Sequence, residues 1–99
     1  MKKILITRKL IKDCEDKASK IFDAKLNSND ELYSQKKLIE LSSGFDGILT
    51  SLTDKMDADT INALPETIKI ISNFAVGFGN IDLEAAKKKE ILLLQILQM

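Results

Sequence analysis

Short runs rich in isoleucine and leucine recur along the chain, and between them the apolar residues spread out to helical spacing. Lys2 to Thr7 (KKILIT) is the first run, of the kind that forms a buried strand. Residues 12–22 (KDCEDKASKIF) carry their apolar positions at Cys14, Ala18, Ile21 and Phe22, the spacing of a helix. Residues 22–26 suit a second, weaker strand. Ser28 or Asn29 then caps a helix running to Gly44, with Leu32, Leu38, Ile39 and Leu41 as its apolar stripe and the glycine as its stop. DGILTS (46–51) reads as a third strand. Asp57 caps a short helix over 58–64 that Pro65 ends, and TIKIISNFA (67–75) is a fourth strand. Asp82 opens DLEAAKKK, acids first and lysines last, as the helix dipole favours. The EILLLQIL that follows reads either as a fifth strand or as a helix, and it is sticky if left exposed.

Strand and helix therefore alternate from end to end. Strand runs without strict polar alternation are the mark of a sheet covered on both faces. The pattern predicts an α/β fold, a three-layer αβα sandwich around a parallel sheet of four to five strands. Ligands of such sheets gather outside the carboxyl ends of the strands. Here those ends lead into TRKL, TSLTDKM and NFAVGFGN.

Composition narrows the function. Ninety-nine residues make one domain, and a chain of this size buries roughly two thirds of its unfolded surface. No apolar run approaches the roughly 18 to 20 residues of a membrane span, and Arg8 and Lys9 interrupt the first apolar stretch too early for a signal peptide. Neither a membrane nor export is expected. The single cysteine, Cys14, cannot form an internal disulfide, which suits a reducing, cytoplasmic setting, and it is expected to be chemically idle. Fifteen basic and fifteen acidic residues cancel, so no electrostatic footprint for nucleic acid is visible. Histidine is absent, which removes the commonest general acid or base near neutral pH and a frequent metal ligand.

SNFAVGFGN (72–80) is the segment with candidate chemistry. A dinucleotide fingerprint needs a third glycine three places after its second, at a helix start that meets the pyrophosphate. That place holds Asp82, whose carboxylate repels phosphate. A small carboxylate fits better, because Gly77 lets a ligand approach the backbone and the amides of Val76 and Gly77 can donate to it. A plain turn at Gly77 and Gly79 is the competing reading.

FAVGFGNIDLEAAKKK, preceded by IKIISN, resembles the N-A-V-G-(Y/F)-D-N-I-D segment of the D-isomer-specific 2-hydroxyacid dehydrogenases, closest to the glyoxylate and hydroxypyruvate reductases. MKKILITRKL resembles that family's opening strand, and FDGILTSLTDKMDADTINALPETIKII its D-A-L-(L/V)-T-x-L-x-(D/E)-x-(I/V/M)-D segment. The resemblance covers residues 1–89 and implies the first part of a flavodoxin-like substrate domain. It further implies that Ala75, Val76 and Gly77 hold the carboxylate of a small 2-oxo or 2-hydroxy acid through backbone amides, with Leu52 and Thr53 lining the same cleft. NAD or NADP is the cofactor of the full-length family, whose members are usually homodimers. The family's dinucleotide domain and its catalytic arginine, glutamate and histidine have no counterpart in these residues, so none of them is expected to be catalytic, to bind cofactor or to hold metal, and the chain alone is expected to be inactive. Gly79 stands where the family usually has aspartate, and Glu90 where it often has glycine after the helix.

After Lys89 the resemblance stops, where such enzymes have a short strand followed by T-N-T-P-D. The final Gln-Ile-Leu-Gln-Met is what a gene for Thr-Asn-Thr-Pro-Asp yields when read one base late, and lysines 87–89 imply an A-rich tract. Residues 90–99 are therefore expected to be a divergent, frameshifted tail.

Two other classes compete. A phosphoacceptor module shares the fold but needs acids after the first and third strands for its metal, where this chain has Thr7-Arg8 and Thr50-Ser51. A non-catalytic interaction fragment, or a truncated subunit pairing with a longer copy, is the stronger alternative. Tyr33 and the phenylalanines are expected to serve packing, and Asp13, Glu15 and Asp16 to form a solvated helix face. Arg8 is the one base expected to face the cleft.

Overall fold

Leu5, Ile48 and Ile71 stand side by side in three adjacent strands and have almost no exposure, and the rest of the fold is built around them. The computed structural model describes residues 1–51, 54–74 and 79–96. Its elements are β1 (Lys3–Ile6), α1 (Lys12–Ile21), β2 (Asp23–Lys25), α2 (Gln35–Leu41), β3 (Gly47–Ser51), α3 (Ala58–Ala63), β4 (Ile70–Phe74), α4 (Leu83–Lys88) and β5 (Leu92–Ile96). All strand pairings are parallel, in the order β2-β1-β3-β4-β5. That is the flavodoxin-like order, in which the chain leaves β1 toward one edge and β3 toward the other.

The two faces of the sheet are covered unequally. On one, Leu5, Ile48, Ile71 and Leu93 meet Leu38 of α2, Ile61 of α3 and Ala85 and Ala86 of α4, with Met56, Leu64, Ile68, Ile81 and Ile91 closing the core. Each leucine or isoleucine fully buried here stabilises the fold by about 1.5–3 kcal/mol. On the other face α1 leaves a groove of about 430 Å³, lined among others by Ile4, Ile6, Leu49, Ile70 and Leu94 together with Cys14 and Ala18 of the helix. Leu92 and Leu94 of β5 are exposed beside it. EILLLQIL thus supplies the fifth strand, with an apolar flank open to solvent.

The second helix differs from expectation. It starts at Gln35, not at Ser28 or Asn29, and its N-cap is Ser34, whose hydroxyl accepts from the Lys37 N–H. The cause lies upstream. Asn27 donates to the carbonyls of Thr7 (2.9 Å) and Glu31 (2.7 Å) and accepts from the Glu31 N–H, while Asp30 adopts φ 51, which a continuing helix cannot hold. Leu32 is consequently exposed outside the helix, whereas Leu38 is buried. Glu15 also departs from the solvated face expected of it: its buried carboxylate accepts from the Leu10 N–H and faces the Lys9 ammonium at 3.6 Å.

The other caps agree with the sequence. Asp57 accepts from the Thr60 N–H and Asp82 from the Ala85 N–H. The helix α4 ends in a Schellman turn, with the Glu90 N–H on the Lys87 carbonyl and the Ile91 N–H on that of Ala86. This geometry puts Glu90 at φ 58, where a β-carbon is strained. Glu90→Gly is expected to raise stability by about 1 kcal/mol in urea denaturation, and an unchanged or lower midpoint would contradict the assignment of strain.

Candidate functional site

Along the core face, three strands change character at the same level. Two residues beyond Leu5, Ile48 and Ile71 stand Thr7, Thr50 and Asn73, polar and with at most 1% exposure. Thr50 and Asn73 are paired in register, and the Thr7 N–H bonds the Leu49 carbonyl. A polar rung therefore crosses the carboxyl ends of β1, β3 and β4. Buried polar groups cost free energy unless they are bonded, so the rung requires partners.

The partners come from the connections after β3 and β4. Asp54, 3% exposed, accepts from the Thr7 hydroxyl and from the Ser51 N–H (3.0 Å). Asn80 donates through its side-chain amide to the Ser51 carbonyl (3.0 Å), the Asp54 carbonyl (2.9 Å) and Asn73 Oδ1 (3.3 Å), and accepts from Asn73 Nδ2 (2.9 Å). The Thr50 hydroxyl donates to Asn73 Oδ1 at 2.9 Å. Main-chain bonds reinforce this bridge, the Met56 N–H donating to the Asn80 carbonyl and the Asp82 N–H to that of Met56. Among the described buried side chains, no polar atom lacks a partner.

Leu52, Thr53, Ala75, Val76 and Gly77, the residues expected to contact substrate, lie outside the described residues. Their flanks do not. Ser51 and Phe74 end neighbouring strands in register, and Asn80 holds the resumption of the chain after residue 78 against both Ser51 and Asp54. The flanks of the two segments that carry the expected site are thus anchored next to each other, at the carboxyl ends of β3 and β4.

Comparison with known proteins agrees with this layout. The family model described as D-isomer specific 2-hydroxyacid dehydrogenase, catalytic domain, matches residues 4–98. The chain belongs to this family. A glycerate dehydrogenase of Hyphomicrobium methylovorum is 34% identical over 90 residues, which are 91% of this chain and 28% of that protein. A glyoxylate reductase of Thermococcus onnurineus is 32% identical over 91 residues, 92% of this chain and 27% of its own length. A solved structure from Pyrococcus horikoshii superposes with a TM-score of 0.83 at 29% identity, covering 97% of this chain and 28% of that one. The chain thus spans little more than a quarter of these relatives.

A dinucleotide does not fit the described residues at α4: that helix has six residues, and its first-turn amide at Ala85 is already bonded to the Asp82 carboxylate at 3.0 Å. Among the described residues no cluster suits a metal, and no helix is long and apolar enough to cross a membrane. Gly79 is not demanded by the backbone: its φ is not left-handed, and a β-carbon built there meets nothing within 4 Å, so aspartate would fit. Sequence reasoning missed Asn73, Asn80 and Asn27 as working residues. For Asn73 the usable signal was a polar residue placed two positions beyond a buried apolar one, Ile71.

Arg8, expected to face the cleft, does follow β1 at the switch point, but its guanidinium grips Asp30, with Nε–Oδ1 at 2.8 Å and Nη2–Oδ2 at 3.2 Å. The hydrogen bond from Arg8, helped by the Lys9 N–H, holds the Asp30 carboxyl at about 2 instead of 3.8. Because the folded value is the lower, the stabilisation is complete above about pH 4 and is lost as pH falls toward 2. An NMR carboxyl titration should find the Asp30 midpoint near 2 in the unaltered chain and a clearly higher one in Arg8→Met; equal midpoints would contradict the pairing.

Proposed function

We propose that the chain is the substrate-holding portion of an NAD(P)-dependent oxidoreductase that reduces small 2-oxo acids, of the glyoxylate or hydroxypyruvate type, to D-2-hydroxy acids. Membership of the family and the relatives named glyoxylate reductase and glycerate dehydrogenase support this reading. The observation that carries it is the bridge of Asn80 to Ser51 and Asp54, which anchors the flanks of 52–53 and 75–78 side by side at the carboxyl ends of β3 and β4. In this reading the amides of Val76 and Gly77 grip the acid's carboxylate, with Ala75 beside them, and Leu52 and Thr53 line the cleft.

The chain's own residues supply binding rather than proton transfer. It contains no histidine, and four carboxylates at this end of the sheet are engaged: Asp54 by Thr7 and Ser51, Asp30 by Arg8, and Asp57 and Asp82 as helix caps. NAD or NADP, and the groups that deliver hydride and proton, belong in this reading to the remainder of a protein of the relatives' length. The chain alone is then inactive. A cytoplasmic setting accords with its single cysteine.

The second reading, a non-catalytic fragment that docks on a longer subunit, draws support from the open apolar groove beside α1 and the exposed Leu92 and Leu94. One titration separates the two. Glyoxylate added to the isotopically labelled chain should shift the amide signals of Val76 and Gly77 saturably, with chloride at equal ionic strength inert. Absence of any shift at these amides would leave the segment as a turn and favour the docking fragment.

A further inference from the structure

The sheet face that carries α1 is covered along one side only. Ile6 of β1 is fully buried there, whereas Leu49 of β3 and Ile70 of β4 are half-buried and Leu92 and Leu94 of β5 are 58% and 44% exposed. The groove of about 430 Å³ beside α1 thus continues into an open apolar strip over β3, β4 and β5. None of these three strands carries a charged residue. Strands of a parallel sheet are ordinarily covered on both faces, and a continuous exposed apolar surface marks a place of binding.

Dimensions select the occupant. Neighbouring strands lie about 4.8 Å apart, so three of them present a strip about 10 Å wide, the diameter of one helix with its side chains. Five residues of strand extend about 17 Å, which a helix spans in about eleven residues, or three turns. A single acyl chain is narrower and leaves Leu92 and Leu94 in water. A second copy of this chain has no spare helix stripe to lend among its described residues: α2, α3 and α4 bury theirs on the opposite face, and α1 turns Cys14 and Ala18 toward the groove.

Charge selects the chemistry of the helix. Lys2, Lys17 and Lys69 border the groove, and among the described residues none of them takes part in an ion pair. The acid beside them, Asp46, already accepts from the Lys3 N–H at 2.8 Å. Lys2 and Lys69 directly precede β1 and β4, which puts them at the amino end of the sheet. A helix lying antiparallel to the strands, as crossover helices do, brings its C-terminal carbonyls to that end, where the lysines complement its dipole.

We infer that the strip over β3, β4 and β5 docks an amphipathic α-helix of about three turns from a partner polypeptide, with an apolar stripe on the sheet and carboxylates beside the stripe facing Lys2, Lys17 and Lys69. The inference does not depend on where substrate is held.

The test uses the whole chain and two synthetic helical peptides of about twelve residues. Both carry leucine and alanine in the stripe; one has glutamate beside it and the other lysine. The glutamate peptide should bind saturably, gain helix by circular dichroism and shift the amide signals of Leu49, Ile70 and Leu94. Its affinity should exceed that of the lysine peptide roughly tenfold at low salt, the scale of a few exposed charge pairs turned from attraction to repulsion. Lys2→Glu combined with Lys69→Glu should reverse the preference, and Leu94→Glu should weaken both peptides. These side chains are exposed, and the dispersion of the amide spectrum checks that each variant is folded. Equal affinity for the two peptides, shifts confined to other parts of the chain, or no binding each overturns the inference. Sedimentation of the chain alone as a dimer that Leu94→Glu dissociates also overturns it, since the strip then belongs to a second copy.

Discussion

A buried row of hydroxyl and amide groups has to find hydrogen bonds, and this requirement organises the functional end of the molecule. Thr7, Thr50 and Asn73 are set into the sheet by the strands that carry them and are shut off from water by the core beneath. Left unpaired, each would cost on the order of 1–3 kcal/mol. Asp54 and Asn80 remove that cost, and in doing so they draw the connections after β3 and β4 onto the same spot. The described ends of these connections are thus located by the energetics of the core.

The division of labour between the two faces follows from the same layout. Three helices cover one face and one helix covers part of the other, so hydrophobic burial is concentrated on the side that carries the polar rung. Among the described residues, the groove beside α1 leaves part of that face uncovered.

Much of this was legible in the sequence. The parallel α/β sandwich followed from strand runs separated by helical spacing, and Asp57 and Asp82 were readable as caps because a short acid just before an apolar period has one common use. The rung left a signal that went unread, an i, i+2 step from leucine or isoleucine to threonine or asparagine at the end of three strands. The late start of α2 was not, because it depends on Asn27 reaching the Thr7 carbonyl, 20 residues back in the chain. The pairing of Arg8 with Asp30 and the reach of Asn80 to Ser51 and Asp54 were hidden for the same reason: side-chain bonds across 20 to 30 residues leave no periodic trace.

The central claim is that the polar rung locks the two connections to the core, and native-state hydrogen exchange measures it most directly. The amides of Thr7, Asp54, Met56 and Asp82, each bonded within or beside the rung, should be protected to nearly the same free energy as those of the core strands. Exchange of Asp54, Met56 and Asp82 at the rates of freely exposed turns, with the strand amides still protected, would contradict the account.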